Sequence, residues 1–257
     1  MKFLGLLGLL FFISSAFANK LDAQVVRVGL YDFTPYVFLD DEPSGIAIEM
    51  LNRMNQFQKR YQFVPVLTTS RRRYHDFSNK KFDMMMFEDK NWGWQSFLVN
   101  QSEPYVTDAE VYVTQATGNR GQSYFDSFDD KLMVGVLGYH YKFAEFNSDL
   151  GYLKKHFNFI PTQNQAQSLE LILKKRGDIA VISKSYLNYH FRQFPDDKQK
   201  LLISDKHDQT YRHTILIRQG HIISLDFINQ LLLKMKEENQ LAPLWQRFGL
   251  VEIRSHE

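Results

Sequence analysis

The sequence predicts an α/β protein. Segments in which apolar and polar residues alternate, as they do in strands, are separated by segments with the apolar spacing of a helix. The clearest case lies in residues 26–55, where Val26, Val28 and Leu30 alternate with other residues before a helical pattern begins. Hydrophobic residues make up 44% and charged residues 23% of the chain, which is ordinary for a globular protein. The length allows one large domain or two small ones.

The first strand leads through an aromatic loop, residues 31–43, into the first helix. We predict that Ser44 caps this helix, because a serine hydroxyl can accept a hydrogen bond from a free N–H of the first turn. Its apolar face is predicted to consist of Ile46, Ile48, Met50, Leu51 and Met54. A strand that ends in such a loop often places a small-molecule site there. Asp32, Phe33 and Tyr36 are therefore candidates for the polar and aromatic wall of a ligand site.

A second strand is predicted at residues 61–67, a helix at 68–80 and a buried strand at 82–87, where four apolar residues follow one another. Such a continuous apolar run is typical of a parallel strand covered on both faces. The loop after it carries Trp92 and Trp94, two of the three tryptophans of the chain. Large aromatic side chains at a strand end can stack on a ligand. The alternative, in which both pack against the underside of their own loop, stays open.

The second half of the chain continues the alternation of strands and helices. Residues 116–123 are rich in glycine and polar residues and are predicted to be a connection. The strands are predicted at 109–114, 131–138, 158–160, 177–183 and 210–218. The helices are predicted at 165–175, 183–191, 222–236 and 241–248.

Residues 1–18 are predicted to be a secretory signal peptide, cleaved before Asn19. Lys2 precedes an apolar run that ends in an Ala-Phe-Ala cleavage pattern. A membrane anchor is the alternative, but the run is shorter than the roughly 20 residues that span a bilayer. The chain has no cysteine, so a disulfide, a thiol nucleophile, a thiolate metal site and a lipoprotein anchor are excluded. The net charge of +2, with both signs intermixed, does not indicate nucleic-acid binding.

The order of several short motifs resembles that of the bacterial extracellular solute-binding proteins of family 3. These are the amino-acid-type periplasmic binding proteins of ABC transporters. The motifs are Val28-Gly29, Pro35-Tyr36, Asp41-Glu42, Gly45-Ile46-Ala47-Ile48-Glu49-Met50, Ser102-Glu103-Pro104-Tyr105, and the segments 131–138 and 177–183. Together they extend over essentially the whole chain after the predicted signal peptide.

The resemblance implies a periplasmic-binding-protein-like type II fold, with two α/β lobes that close over a ligand cleft by hinge motion. Residues 19–113 and 212–257 would form one lobe and residues 114–211 the other. Two crossing strands, near 109–114 and 211–216, would join them. It also implies a periplasmic monomer without cofactor or metal that captures a small polar solute for a membrane permease. A sensor that serves a membrane receptor, a dehydratase-like enzyme and a relative without a small ligand are the alternatives.

The resemblance also suggests binding residues, and here the sequence departs from the family. The position of the arginine that clamps a ligand carboxylate falls on Gln95, and that of the aspartate that takes the ligand ammonium falls on Ser183. Neither side chain is charged, so the resemblance does not indicate a standard α-amino acid. In one branch of the family an arginine near the start of a helix precedes the buried strand, and Arg72 has that place. The alternative is that Arg71 to Arg73 form a solvated face.

Two further features complete the predicted site. Glu88, at the end of the buried strand, is the acidic candidate that could receive an ammonium group. The family has a glycine that opens a helix whose N-terminus faces the ligand, and Gly138 followed by Tyr139 occupies that place. Free N–H groups at such a terminus favour an anionic ligand group.

Overall fold

The computed structural model describes residues 23–253, so the predicted signal peptide lies outside the described residues. The first half contains β1 (Gln24–Leu30), β2 (Phe38–Leu39), β3 (Pro43–Ser44), α1 (Ile46–Phe57), β4 (Tyr61–Leu67), α2 (Arg73–Ser78), β5 (Met84–Glu88), β6 (Val99–Gln101) and β7 (Val106–Gln115). The second half contains β8 (Leu132–Val136), α3 (Leu150–His156), β9 (Asn158–Thr162), α4 (Gln165–Leu173), β10 (Ile179–Ser183), α5 (Lys184–Gln193), α6 (Asp197–Lys200), β11 (Leu201–Arg218), α7 (Leu225–Glu237), α8 (Ala242–Phe248) and β12 (Val251–Glu252). Among these helices, none has the length and apolar composition that a membrane span requires.

A curled, ten-stranded sheet runs through the molecule in the order β4-β1-β5-β11-β7-β10-β8-β9, with β6 beside β11 and β12 beside β7. The pairs β1–β4, β1–β5, β8–β9 and β8–β10 are parallel. All residues of β5 and of β10 are buried, as expected for strands covered on both faces. The predicted α/β class is confirmed.

Two long strands connect the two ends of this sheet. Strand β7 pairs antiparallel with β11 from Gln115 opposite Leu201 to Val106 opposite His213. Beyond that point β11 leaves β7 and pairs with β5 and β6. We call the part around β1, β4, β5 and β6 with α1, α2 and α7 the first lobe. The part around β8, β9 and β10 with α3–α6 is the second lobe. The predicted architecture of two lobes joined by two crossing strands is confirmed.

Helix α1 buries the apolar side chains that its spacing predicted, except that Ile48 is only partly covered. The predicted cap is wrong. Ser44 belongs to β3 and pairs with Phe38, and Gly45 occupies the N-cap position with a φ of 104°. A Cβ atom at this position would lie 2.7 Å from the carbonyl oxygen of Tyr36. The close approach of the aromatic loop therefore requires glycine here and displaces serine from the cap.

Helix α2 is shorter than the predicted helix at residues 68–80. A turn precedes it, in which the N–H of Arg73 donates to the carbonyl oxygen of Thr69 at 3.0 Å. Helix α3 was not predicted, although Asp149 caps it by accepting from the N–H of Tyr152 at 2.8 Å. The late start of α2 matters for the site, because it decides which arginine of the run points inward.

Candidate functional site

A small cavity lies where the two lobes meet. Its volume is about 10 Å³, which is about the space that one water molecule occupies. It is lined by Tyr31, Phe33, Arg73, Trp92, Glu110, Tyr139, His140 and Gln209. These residues come from the first lobe, from both crossing strands and from the loop after β8. The side chains of the two lobes thus almost fill the cleft, and a larger ligand needs the lobes to separate.

Four aromatic rings form the apolar part of the cavity wall, and Phe33 touches the other three. Its ring is stacked on Tyr31 at 5.8 Å and meets the rings of Tyr139 and Trp92 edge to face at 5.6 and 6.2 Å. Because Tyr139 belongs to the loop after β8, these ring contacts cross the cleft. We call Tyr31, Phe33, Trp92 and Tyr139 the ring cage.

A buried ion pair stands behind the ring cage. Nε of Arg73 lies 3.2 Å from Oε1 of Glu88, and 1% and 0% of the two side chains are exposed. The indole N–H of Trp94 donates to Oε2 of Glu88 at 2.8 Å. The guanidinium also lies over the rings of Tyr31 and Tyr74, at 5.0 and 4.5 Å, which is favourable cation–π geometry. The carboxylate and both rings hold the arginine in place.

Burial shifts the pKa values of these groups. It raises the pKa of Glu88 to about 7, against the opposing effect of Arg73. Burial favours the neutral form of Arg73, but the Glu88 carboxylate and the phenol of Tyr31 raise its pKa above the ordinary value, so it stays charged. Burial, and to a smaller extent the nearby charge of Arg73, lowers the pKa of His140 to about 3. The imidazole of His140 is therefore neutral. Nδ1 of His140 has no hydrogen-bond partner among the described residues.

Glu110 projects from β7 into the cavity wall and is 4% exposed. Its Oε2 accepts a hydrogen bond from Nε2 of Gln209 at 2.6 Å, and that nitrogen also donates to the carbonyl oxygen of His140 at 2.7 Å. Oε1 of Gln209 accepts from the indole of Trp92 at 3.1 Å. Gln209 on β11 thus joins the first lobe, the crossing strand β7 and the loop after β8.

Direct hydrogen bonds also hold the two lobes together. The hydroxyl of Ser70 donates to the carbonyl oxygen of Leu137 at 2.7 Å, and Nε2 of Gln165 donates to that of Thr34 at 3.2 Å. The structure is therefore a closed form.

Three of the predicted site residues, Phe33, Trp92 and Tyr139, line the cavity. Glu88 lies directly behind it, in contact with Arg73. Asp32 lies beside it, where Oδ2 accepts from Nδ2 of Asn164 in the second lobe at 3.3 Å. Burial raises the pKa of Asp32, against the hydrogen bonds from Asn164 and Thr34.

The structure places Arg72 and Gln95 outside the cavity. The side chain of Arg72 is 65% exposed and lies 3.7 Å from Asp76. Gln95 is exposed, and its Nε2 donates to the carbonyl oxygen of Asn91 at 3.0 Å. Because successive helical residues point about 100° apart, a helix that begins at Arg73 directs this side chain inward and leaves Arg72 in solvent.

Tyr36, Trp94 and Ser183 are fully buried but do not line the cavity. The hydroxyl of Tyr36 donates to Oδ2 of Asp108 at 2.8 Å. Trp94 packs on the rings of Tyr74 and Phe77, which agrees with the alternative that this tryptophan packs under its own loop. The Ser183 hydroxyl accepts from an N–H of the first turn of α5 and caps that helix.

Gly138 does not open a helix, which corrects the expectation from the resemblance. It has a φ of 85°, and the chain continues to a short 3₁₀ turn at Lys142–Ala144. A Cβ atom at Gly138 would lie 2.8 Å from Cγ of Arg71. The loop after β8 therefore folds onto the start of α2, and the close approach rather than a helix N-terminus explains the glycine.

Five cavity residues were not predicted: Tyr31, Arg73, Glu110, His140 and Gln209. Glu110 had a signal in the sequence, because it lies inside a predicted strand, and a carboxylate that such a strand buries must be neutralised or hydrogen-bonded. Gln209 had none, because its place depends on how β11 pairs. No group of three or more His, Asp or Glu side chains within residues 23–253 could hold a metal ion.

No protein-family model matches the chain, and no curated protein sequence does. Many solved structures do match, however. A binding component of an ABC transporter from Wolinella succinogenes, solved with lysine, has a TM-score of 0.69 at 16% identity, over 87% of this chain and 94% of its own. A histidine kinase sensor domain has a TM-score of 0.69 at 17% identity, over 90% of this chain and 98% of its own.

An ancestral amino-acid-binding protein, a precursor of cyclohexadienyl dehydratase, has a TM-score of 0.66 at 20% identity, over 87% of this chain and 95% of its own. Identities this low show the fold alone. The fold is that of type II periplasmic-binding-protein-like proteins, and the resemblance that the motifs indicated is confirmed at this level.

Proposed function

We propose that this chain is a periplasmic solute-binding protein that captures a small polar solute between its lobes for an ABC-type importer. The observation that carries the proposal is the interlobe cavity itself. It combines the ring cage with the buried ionisable side chains of Arg73 and Glu110, and Glu88 lies directly behind it. Burying an ionisable group on folding costs desolvation free energy. Such groups, when collected in a cleft, are typical of a binding site.

Capture requires that the lobes separate and close again around the ligand. The crossing strands β7 and β11 are the hinge in this proposal, and the pairing of β11 with β7 is irregular between Ile203 and Gln209. Tyr139 and His140 would move with the second lobe, while Arg73 and Trp92 stay with the first. A ligand that contacts both sets stabilises the closed form by the difference between its binding free energies to the closed and the open forms.

The test is a thermal-shift screen of the chain that begins at Asn19. The panel contains amino acids, opines, polyamines, small peptides, organic acids and sugars. A ligand at 100 times its dissociation constant adds about 2.7 kcal/mol to the free energy of unfolding, which raises the melting temperature measurably. A well-folded protein that responds to no member of the panel would contradict the proposal.

Two neighbouring arginines supply a matched pair of variants for any ligand that is found. Arg73→Gln removes a charge that lines the cavity and should change affinity at least tenfold, weakening the binding of an anionic group and strengthening that of a cationic one, whereas Arg72→Gln removes an exposed charge and should leave affinity unchanged. Circular dichroism checks that both variants are folded at the temperature of the binding measurement. Equal affinity in the two variants would show that the ligand binds elsewhere.

A sensory role is the second candidate, favoured by the likeness to a histidine kinase sensor domain. In that case the closed form would bind a membrane receptor instead of a permease. The likeness to a dehydratase precursor favours an assay for turnover of the ligand by the purified protein. A ligand that is recovered unchanged supports the binding role, and release of a product would favour the enzyme.

A further inference from the structure

The crossing strands carry three buried carboxyl groups, and they differ in how they are satisfied. Asp108 accepts from the hydroxyls of Tyr36 and Ser185 and from two backbone N–H groups. Asp208 accepts from the hydroxyl of Tyr112 and from the N–H groups of Lys142 and Phe143.

Glu110 has one donor among the described residues, Gln209. It is also the member of the three that lines the cavity. A buried carboxylate with a single hydrogen bond is costly unless it is protonated or meets a positive charge.

The part of the chain that the structure describes supplies no such charge to Glu110. Within residues 23–253, no Lys, Arg or His side chain lies within ion-pair distance of it. The cation of the cavity, Arg73, pairs with Glu88 instead. The acid behind the cavity, Glu88, is therefore paired, whereas the acid that lines it, Glu110, has no counter-charge among the described residues.

The ring cage adds to the preference for positive charge. The faces of aromatic rings carry negative potential, which attracts a desolvated cation. Tyr31, Phe33, Trp92 and Tyr139 surround the same cavity as Glu110. His140 also lines this cavity, and its Nδ1 has no hydrogen-bond partner among the described residues. A neutral imidazole has one ring nitrogen that can accept a hydrogen bond from an N–H of a ligand.

We propose that the ligand is an organic cation, whose positive group sits in the ring cage against Glu110, and that its binding expels a proton from Glu110. This inference rests on the proposed function and specifies the class of solute that the site takes. Polyamines, guanidinium compounds and quaternary ammonium compounds share the required chemistry, and the experiment distinguishes among them.

The release of a proton on binding is expected from the surroundings of Glu110. Burial raises its pKa well above the ordinary value, and the neighbouring Asp208 adds to this rise. A bound cation favours the carboxylate and lowers that pKa, so binding releases a proton. Between the two pKa values affinity rises with pH by up to about tenfold per unit, and above the pKa of the free protein it levels off.

Several other titratable groups surround Glu110, and the charged Arg73 lines the same cavity. The groups whose charge or proton bears on it are Asp108, Asp208, Tyr31, Tyr112, Tyr139, Tyr141, Tyr211 and, through Gln209, His140. The tyrosines have raised pKa values and His140 a lowered one, so they do not titrate near neutral pH. Glu88 does, and a variant of Glu110 is needed to separate the two acids.

The experiment compares cations with neutral molecules of the same shape by isothermal titration calorimetry. The pairs are L-arginine with L-citrulline and choline with 3,3-dimethylbutan-1-ol, and putrescine is added as a polyamine. We expect at least one cation to bind at least tenfold tighter than its neutral counterpart. Its affinity should be higher at the higher of two pH values at which the protein is folded. Titrations in two buffers of different ionisation enthalpy should show that a proton is released.

Glu110→Gln keeps the shape of the side chain and removes its charge. We expect this variant to lose both the preference for the cation and the dependence on pH. Asp208→Asn is the control, because it changes a buried acid on the neighbouring strand that does not line the cavity. It should keep the preference for the cation, whatever it does to the melting temperature.

The failures of the two proposals can be told apart. If neutral or anionic solutes bind and the cations do not, the binding role stands and the cation inference is wrong. If a cation binds but Glu110→Gln binds it equally well and with the same pH dependence, Glu110 is not its partner, another buried acid titrates, and the cation inference is wrong. If the folded protein binds nothing in either panel, the proposed function fails and the inference fails with it.

Discussion

The buried pair of Arg73 and Glu88 contributes to the pH dependence of the protein's stability, and Glu88→Gln should remove that contribution. Glu88 is completely buried, and burial raises its pKa from 4.5 to about 7. The folded state thus binds the proton of Glu88 more tightly than the unfolded state does. Stability contributed by this group is fully present below the unfolded pKa of about 4.5 and is lost as the pH rises through about 7.

The size of this contribution to the free energy of unfolding follows from the pKa shift of Glu88. One pKa unit corresponds to about 1.4 kcal/mol, so the rise from 4.5 to about 7 corresponds to about 3 kcal/mol. In the wild type this amount of the free energy of unfolding should disappear between about pH 4.5 and pH 8. Glutamine cannot ionise, so the free energy of unfolding of the variant does not decrease through this group as the pH rises. The variant should therefore gain about 3 kcal/mol relative to the wild type over the same range.

Urea unfolding at pH 5, 6, 7 and 8, followed by far-UV circular dichroism, measures this difference. Glu103→Gln, at an exposed position, is the control and should run parallel to the wild type. The comparison uses the change with pH and not the stability at a single pH, because leaving Arg73 without its partner has a cost of its own. Parallel curves for Glu88→Gln and the wild type would refute the reasoning.

Three further predictions concern particular residues. Gly138→Ala should lower the free energy of unfolding by about 1–3 kcal/mol in urea, because φ is positive there and a Cβ would meet Arg71 at 2.8 Å; an unchanged midpoint would contradict this. Ser183→Ala removes the hydroxyl that accepts from the N–H of Tyr186 and should cost about 1 kcal/mol without changing ligand affinity. Export of the full chain in a bacterial host should yield a protein that begins at Asn19, by mass spectrometry, and an uncleaved product would contradict the predicted signal peptide.

The sequence by itself determined the fold class and most of the elements. Strand β4 has the predicted bounds, and the apolar run that became β5 is buried along its whole length. These predictions succeeded because side-chain periodicity is a local property that follows from the geometry of strands and helices. Placement after a predicted strand was also enough to mark Phe33 and Trp92, since a parallel sheet collects the carboxyl ends of its strands at one edge, whereas Tyr139 was marked by the family resemblance.

Only the tertiary structure decided which charged groups meet in the cleft. The choice of Arg73 over Arg72 depends on where α2 begins, and a shift of one residue turns a side chain by about 100°. The meeting of Glu110 with Gln209 depends on the pairing of β7 with β11, two strands far apart in the chain. Local patterns carry no information on such pairings, because the register of distant strands is set by the packing of the whole sheet.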